Sequence, residues 1–507
     1  MNDNIYLRPL VVNDASTTYK WRNNPEVWKY TLFSPNVTIT MEKEKAWLED
    51  ILQRPDQKRF AICLTHTEKH IGNIQLIDIE DQHAELHLFI GDKDYWGKGL
   101  GTKATKLILD YAFRTLNLKY IKLSVNRTNE AAIKIYTRQG FTRQDEGVSF
   151  MDMKITREDY ILNNGLKYLI TIDQEVEWKN FVKRTINYDF YHSWTYHSLD
   201  RSGIPLLFVY EEKDNFIGIP LIKREIIDSE YYDMTSVYGY SGPISNRDFS
   251  SLPPDFVNNF RSNFLDFLKD EKIVTVFSRL NPFFFQTDIM KGFGGVVDNG
   301  KVVVIDLSVS LEAQRKGYHQ GRVLRKVRQL RRNGFYVKEA RSAKDVEIFS
   351  LIYNLNMLRK DASAIYHFDY KYFKSLLDTE EYDARLFFVY DIDDYPICGA
   401  IVVITNGIMQ AHLIGTRAEY LSYSPAKLLT DEIANIGRTL GAKFYNLGGG
   451  LGFKEDSLYN WKASFTDLTF EYKSWRFIVN DEVYKSLLIK KEIKLDTKVD
   501  FFPLYRL

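Results

Sequence analysis

The chain has 507 residues and a formal net charge of +1, long enough for roughly two to four domains and too balanced for a global pull toward nucleic acid or anionic membrane. Its 45% hydrophobic and 27% charged residues are those of a soluble globular protein, and its two cysteines, Cys63 and Cys398, have no CxxC spacing, which argues against a disulfide framework or a zinc site. MNDNIYLRPLVVND does not read as a signal peptide and no apolar run approaches the ~20 residues of a membrane helix, so a cytoplasmic protein without a transmembrane segment is expected.

Up to about Tyr160, strand-like and helix-like segments alternate. IYLRPL opens as a strand, DASTTYKWRNNPEVWKY follows as a helix broken at Asn24-Pro25, and MEKEKAWLEDILQR reads as a second amphipathic helix. RFAICLT, KHIGNIQLIDIE and HAELHLFIG are three strands divided by turn residues. A glycine-rich stretch, YWGKGLGTKATKLILDY, then leads into a helix from Thr102 to Thr115, with Ala104, Leu107, Ile108 and Tyr111 on one face. The strand KYIKLSV, a helix from Asn129 to Gln139 stopped by Gly140, and the strand VSFMDMKI close the segment. This order predicts an α+β (mixed α/β) domain over residues 1–160, a sheet covered by helices. TREDYILNNGLKYL marks the boundary. Beyond it, PLLFVYE, IVTVFSRL, KVVVIDLS, RLFFVYD, GAIVVIT and MQAHLIG read as strands among helices. The length suits two subdomains, 161–308 and 309–507, with the seam at the helix after Ser310.

A glycine-rich loop that opens a helix offers backbone N–H groups and the positive end of a helix dipole to an anion such as phosphate. A Walker A loop needs Lys and then Ser/Thr after its last glycine, whereas the order here is Gly101-Thr102-Lys103. A dinucleotide fingerprint needs GxGxxG and an acidic residue ending the next strand; Gly97, Gly99 and Gly101 are spaced GxGxG, and that strand is KYIKLSV. The third pattern is the pyrophosphate loop of the GNAT acetyltransferases, which Trp96-Gly97-Lys98-Gly99-Leu100-Gly101 resembles, with Trp96 where Gln or Arg is usual. That departure resembles the branch acting on protein N-termini and amino-sugar nucleotides. Downstream, NRTNEAAIKIYTRQGF matches the family's second signature, Asn-x-x-Ala-x-x-x-Tyr-x-x-x-Gly-Phe.

The resemblance implies acetyl-CoA as cofactor, its pyrophosphate on the loop from Trp96 to Thr102 and its pantetheine arm along the backbone of Phe89 and Ile90. It implies that Asn129 caps a helix and reaches that arm. Tyr136, two turns on and on the same face, would give a proton to the departing thiolate; otherwise it is a core aromatic before a glycine stop. A phenol suits that task, with an ordinary pKa of ~10 against a lower one for a thiol. The amine acceptor must lose a proton. Glu85 and His87 share one face of the strand that feeds the loop, Leu86, Leu88 and Ile90 the other. Glu85 is the preferred base, through water, and His87 the alternative, against a merely solvated strand face. KWRNNPEV resembles an acceptor-site segment of the same branch, in which Trp21, Arg22 and Asn23 contact substrate, or is simply a bent helix.

From Lys167 to Asn480 the chain is similar to the FemA/FemB/FemX-like transferases, which carry two GNAT-like folds in tandem. The similarity is carried, in order, by DFYHSWTYHSL, YGYSGPISN, RLNPF, GRVLRKVRQLRRNGF, NMLRKDASAIYHFDYKYF, AHLIGTRAEYLSYSPAKLL and NLGGGLGFKEDSLYNWKASF. In the basic helix, Val323, Val327 and Leu330 form an apolar stripe while Arg322, Arg325, Lys326, Arg328, Arg331 and Arg332 project elsewhere. That density binds tRNA or a nucleotide diphosphate, or is a solvated face. SYSPAKLL places Ser424 at an N-cap and Pro425 at N1, a second anion-suited helix end. NLGGGLGF demands close approach or unusual dihedrals. Lys462, in NWKASF, falls where the family has Phe-Lys near its acceptor, and a cation there stabilises an oxyanion. The coiled-coil arm with which some members help grip tRNA has no counterpart, which weighs against aminoacyl-tRNA as second donor and leaves an acyl-CoA or another activated acyl group open. The nine histidines are scattered and form no metal constellation.

Together these features lead us to expect a bifunctional acyltransferase of envelope glycan synthesis. Its N-terminal domain would acetylate an amino-sugar nucleotide and its C-terminal domain transfer a second acyl or aminoacyl group. A protein N-terminus or an aminoglycoside is the alternative acceptor, and a non-catalytic nucleotide- or carrier-binding module the alternative C-terminal part.

Overall fold

The computed structural model describes all residues except 1–3, 32–36, 81, 364–365, 495–496 and 498. The chain divides into two compact units, residues 1–168 with 210–214, and 169–209 with 215–507.

In the first unit a seven-stranded sheet has the order β1-β2-β3-β4-β5-β7-β6. Its strands are β1 (Ile5–Pro9), β2 (Lys58–Leu64), β3 (His70–Glu80), β4 (His83–Ile90), β5 (Tyr120–Asn126), β6 (Thr142–Glu146) and β7 (Phe150–Thr156). Its helices are α1 (Ala15–Arg22), α2 (Pro25–Trp28), α3 (Met41–Ile51), α4 (Leu100–Arg114), α5 (Glu130–Arg138) and α6 (Arg157–Asn164). The helix break falls at Asn24, whose side chain caps α2 ahead of Pro25. β6 was not expected from the sequence, and the stretch read as a boundary folds into α6.

The register assigns the two faces. Arg59, Gln75 and His87 stand opposite one another across β2, β3 and β4, on the face where Leu48 and Ile51 of α3 pack with Ala61 and Cys63. On the other face, Phe60 meets Tyr111 of α4 at 5.1 Å between ring centres, beside buried Ile62, Ile74 and Leu86. Leu107, expected on the buried face of α4, is instead 37% exposed. The buried arc takes in Thr105, Leu109 and Phe113 with Ala104 and Ile108, which turns Leu107 just past its edge.

Every neighbouring pair of this sheet is antiparallel except β4 and β5. Their parallel ladder runs only from His83–Tyr120 to Glu85–Lys122. β4 then continues for five residues, held by β3 on its other side, and the sheet forks.

The second unit is organised on a sheet of 13 strands. The strand Val296–Asp306 pairs with both Phe444–Gly448 and Thr469–Ile478 near its middle. The expected seam at 308 lies in the turn after Asp306, which accepts from the Ser308 backbone N–H. A second fork lies here. Ile408–Thr416 runs parallel to Phe444–Gly448 only from Ile408–Phe444 to Gln410–Asn446. The stripe Val323, Val327 and Leu330 of the helix Arg322–Arg332 is buried, as its pattern predicts. No helix among the described residues is long and apolar enough to cross a membrane.

Candidate functional site

The first fork feeds directly into the glycine loop. Trp96 ties the loop back to the strand, its indole N–H donating to the Ile90 carbonyl at 2.8 Å. The three glycines answer to different demands. Gly97 and Gly99 have φ of +73° and +75°, and a Cβ on either would meet nothing within 4 Å; the backbone conformation requires glycine while the space beside it stays open. Gly101 is ordinary helix, and a Cβ there would come to 3.1 Å from Ile135 Cδ1, so its glycine serves the packing of α4 on α5. α4 starts at Leu100 after Gly99, with neither a side-chain cap nor an acid in its first turn. Lys98 stands over the Tyr95 ring at 4.8 Å, and Thr102 lies in the first turn. An uncapped 15-residue helix behind two left-handed glycines fits the pyrophosphate of coenzyme A.

Asn129 caps α5 through its side-chain oxygen, which accepts from the Ala132 N–H. Two turns further, Tyr136 is 7% exposed, its ring 5.6 Å from that of Phe141. Burial pushes its phenol up to about 12, so it holds its proton throughout the neutral range. Glu85 and His87 are joined: Oε1 and Nε2 lie 2.9 Å apart, their side chains 27% and 45% exposed, with Lys122 Nζ at 4.0 Å from Glu85. The two candidate bases are one pair, on the sheet face covered by α1 and α3. Beyond Glu85 the backbone of Phe89 and Ile90 is bonded to β3 and leaves the ladder with β5.

Trp21 is buried against His70 and Phe89, and a Cβ on Gly91 would strike its ring at 2.1 Å. Asn23 is engaged with the backbone, donating to the Tyr19 and Ile39 carbonyls and accepting from the Ile39 N–H. Arg22 turns to α3, with its guanidinium 3.2 Å from Glu44 and 4.4 Å from the centre of the Trp47 ring. Arg59 shares that ring from 5.6 Å. Trp47, Glu44 and Arg59 escape a sequence reading because they lie on different elements, and only the register brings Arg59 into line with His87.

The second fork is closed. Asp189, 1% exposed, accepts from Gln410 at 2.6 Å and Asn281 at 3.1 Å. The Asn446 amide N–H donates to Gln410 at 2.8 Å, and its oxygen accepts from the Gly448 N–H at 2.9 Å. Burial raises the Asp189 carboxyl to about 7 against the pull of these bonds. Lys462 donates to the Gly449 carbonyl at 2.6 Å. Burial lowers its ammonium to about 8, and a Cβ on Gly448 would sit 3.3 Å from its Nζ. The sequence flagged Lys462 and the glycines but not Asp189, Gln410 and Asn446, which come from three distant segments.

Arg322 and Arg325 line an open groove of about 770 Å³ with Lys326, Arg328, Arg331 and Arg332. Lys427 stands close enough for Lys326 and Arg322 to help burial lower its pKa. Arg331 is spent on Asp431 and Glu432. Ser424 is not the N-cap expected. It is left-handed, φ 56°, at the end of the 3₁₀ turn Ala418–Tyr423, and the following helix caps at Pro425 with no side-chain bond. A cap needs extended backbone to aim its hydroxyl at the first turn, and this turn denies it.

Family profiles described as acetyltransferase (GNAT) domains match residues 4–142 and 319–463. The chain is 32% identical over 144 residues to the spermidine N(1)-acetyltransferase of Escherichia coli K12, a match covering 28% of this chain and 75% of that protein. It is 28% identical over 141 residues to the acetyltransferase PseH of Campylobacter jejuni, covering 28% and 85%. The crystal structure of FemX superposes with a TM-score of 0.50 at 14% identity, over 62% of this chain and 98% of FemX, which shows a FemX-like fold.

Proposed function

The chain belongs to the GNAT acetyltransferase family and is an acyltransferase that uses acetyl-CoA. From that premise we propose that its N-terminal unit acetylates the amine of a nucleotide-linked amino sugar in the cytoplasm, and that its C-terminal region transfers a second acyl or aminoacyl group in the same envelope pathway. The observation that carries the first part is the open fork leading to Gly97 and Gly99 at an uncapped helix end.

Acetyl-CoA supplies the activated acetyl thioester. The backbone beyond Glu85 would pair with the pantetheine arm, the loop from Trp96 to Thr102 would hold the diphosphate, and the Asn129 amide N–H would complete the cradle. The Glu85–His87 pair takes the proton of the attacking amine, directly or through one water. As the new C–N bond forms and the C–S bond breaks, Tyr136 gives its proton to the leaving sulfur. In the C-terminal region, the FemX-like fold and the basic groove support a second transfer, from aminoacyl-tRNA or an acyl-CoA. A polyamine acceptor is the second reading for the first unit, favoured by the 32% identity to a spermidine acetyltransferase.

The test is thiol release from acetyl-CoA with nucleotide-linked amino sugars, peptide N-termini and spermidine. Release with the sugars, falling at least about tenfold in kcat for Tyr136→Phe, is the expected result. Release with spermidine or a peptide but with no amino sugar overturns the acceptor assignment.

A further inference from the structure

The sheet face beside the first fork holds a positive charge that the protein does not neutralise. Arg22 has Glu44, which also accepts from the Thr18 hydroxyl at 2.8 Å. Arg59 has only amides: its Nε donates to Gln57 at 2.9 Å and its Nη1 to Gln75. No carboxylate lies within ion-pair distance of it among the described residues, and Arg54 and Arg22 act on it against the pull of Asp56. Burial, with those two arginines, lowers its pKa to about 10, a sign that its charge is held at a cost. Both guanidiniums rest on Trp47, a ring left 37% exposed. A guanidinium held by amides, stacked on the same ring as a second one, presents a planar donor array suited to phosphate.

The position of this charge matters as much as its presence. Arg59, Gln75 and His87 form one row across three strands, so two strand spacings, ~10 Å, separate Arg59 from the base pair. An acceptor with its amine at Glu85–His87 that ran along this row would bring its far end to Arg59.

We propose that Arg59, with Arg22 beside it on Trp47, is the phosphate-recognition element of the acceptor site, selecting an amine that carries a phosphate about two strand spacings away and disfavouring polyamines. This rests on the reading that the N-terminal unit acetylates an amine, and it names the acceptor's chemistry. The same surplus charge repels spermidine, whose amines are all cationic.

Two measurements on the full chain separate this inference from that reading. Binding of UDP is titrated with the coenzyme A site saturated by coenzyme A, so that the glycine loop cannot take the nucleotide. Wild type is expected to bind, Arg59→Gln to bind at least tenfold more weakly, and Arg59→Lys to recover part of the loss; the far-UV circular dichroism melting curve checks that each variant is folded. Equal UDP affinity in wild type and Arg59→Gln, or no UDP binding by wild type, overturns the role of Arg59 whether or not any acetylation is found. Thiol release with UDP-glucosamine, glucosamine, a peptide with a free carboxylate and spermidine is the second. A KM that rises at least tenfold for the UDP-linked amine in Arg59→Gln, and changes less than twofold for glucosamine, supports the proposal. A spermidine kcat/KM equal to or above that of the UDP-linked amine overturns it. Should no amine release thiol while UDP binding depends on Arg59, the acetyl-transfer reading fails and the phosphate site stands.

Discussion

At the first fork β4 and β5 part beyond Glu85 and Lys122; at the second, Ile408–Thr416 and Phe444–Gly448 part beyond Gln410 and Asn446. Two residues past each last pair stands a histidine. His87 is 45% exposed and bonded to Glu85. His412 lies among Phe190, Tyr191 and Tyr196, both its ring nitrogens buried and without a hydrogen-bond partner. The loops that follow differ as sharply. The first has Gly97 and Gly99 in left-handed conformation beside open space, whereas residues 417–425 contain no glycine and their left-handed residue is Ser424. The fork is thus common to both folds and follows from one parallel pair in a mixed sheet. What each can hold is set by the loop behind it and by whether its polar face is open.

A closed fork should fail first in acid, and this is the largest effect expected. Burial lowers His192 and His197 to about 4 and His412 to about 3, whereas an unfolded chain protonates histidine near ~6.5. The stability they contribute is full above that value and is lost as pH falls through the folded values. Asp189 works against them: raised to about 7, its stabilisation is full below the unfolded ~3.9 and lost as pH rises through 7. Three protons taken up on unfolding less one released leave about two, or roughly 2–3 kcal/mol per pH unit between pH 6 and 4.5. Urea midpoints read by circular dichroism should drop accordingly, and His412→Phe should remove one proton from the slope. Midpoints that stay constant across that range would mean that the second fork is open to water.

The glycine loop offers the next test, about tenfold in size. A β-branched side chain at φ +75° costs ~1–2 kcal/mol. It would also stand where we place the diphosphate, so Gly99→Val should raise the KM for acetyl-CoA with a smaller effect on kcat. Ser424→Gly, in the second loop, should leave acetyl-CoA kinetics alone. An unchanged KM in Gly99→Val would detach the loop from the cofactor.

Much of this was legible in the sequence where the signal is local. The alternation in HAELHLFIG put Glu85 and His87 on one face, and the spacing from Asn129 to Tyr136 put both on one helix. What stayed hidden depends on register or on distant segments. Arg59 lies in the same sheet row as His87 only because β2, β3 and β4 pair as they do, and Asp189 meets Gln410 across more than two hundred residues of chain. Ser424 misled because Ser-Pro ahead of a helix resembles a cap; the 3₁₀ turn before it, which takes the serine left-handed, has no comparable signature.

The smallest effect separates Tyr136, the proposed proton donor, from Lys462, the cation expected to stabilise an oxyanion. Tyr136 is neutral, so Tyr136→Phe removes an oxygen but no charge, and the melting temperature should move little. Lys462 is an ammonium held down to about 8 by burial, with the Gly449 carbonyl as its hydrogen-bond acceptor and no carboxylate within ion-pair distance among the described residues. Replacing it with methionine keeps the length and flexibility of the side chain and removes the desolvated charge. The loss of one hydrogen bond offsets about 1 kcal/mol of that gain, so a rise of a few degrees is expected in Lys462→Met. If the lysine is kept for the proposed second transfer at the expense of stability, that transfer should fall as the melting temperature rises. If the melting temperature falls instead, the lysine is a strut for the glycine turn, and the second fork loses its cation as a reagent.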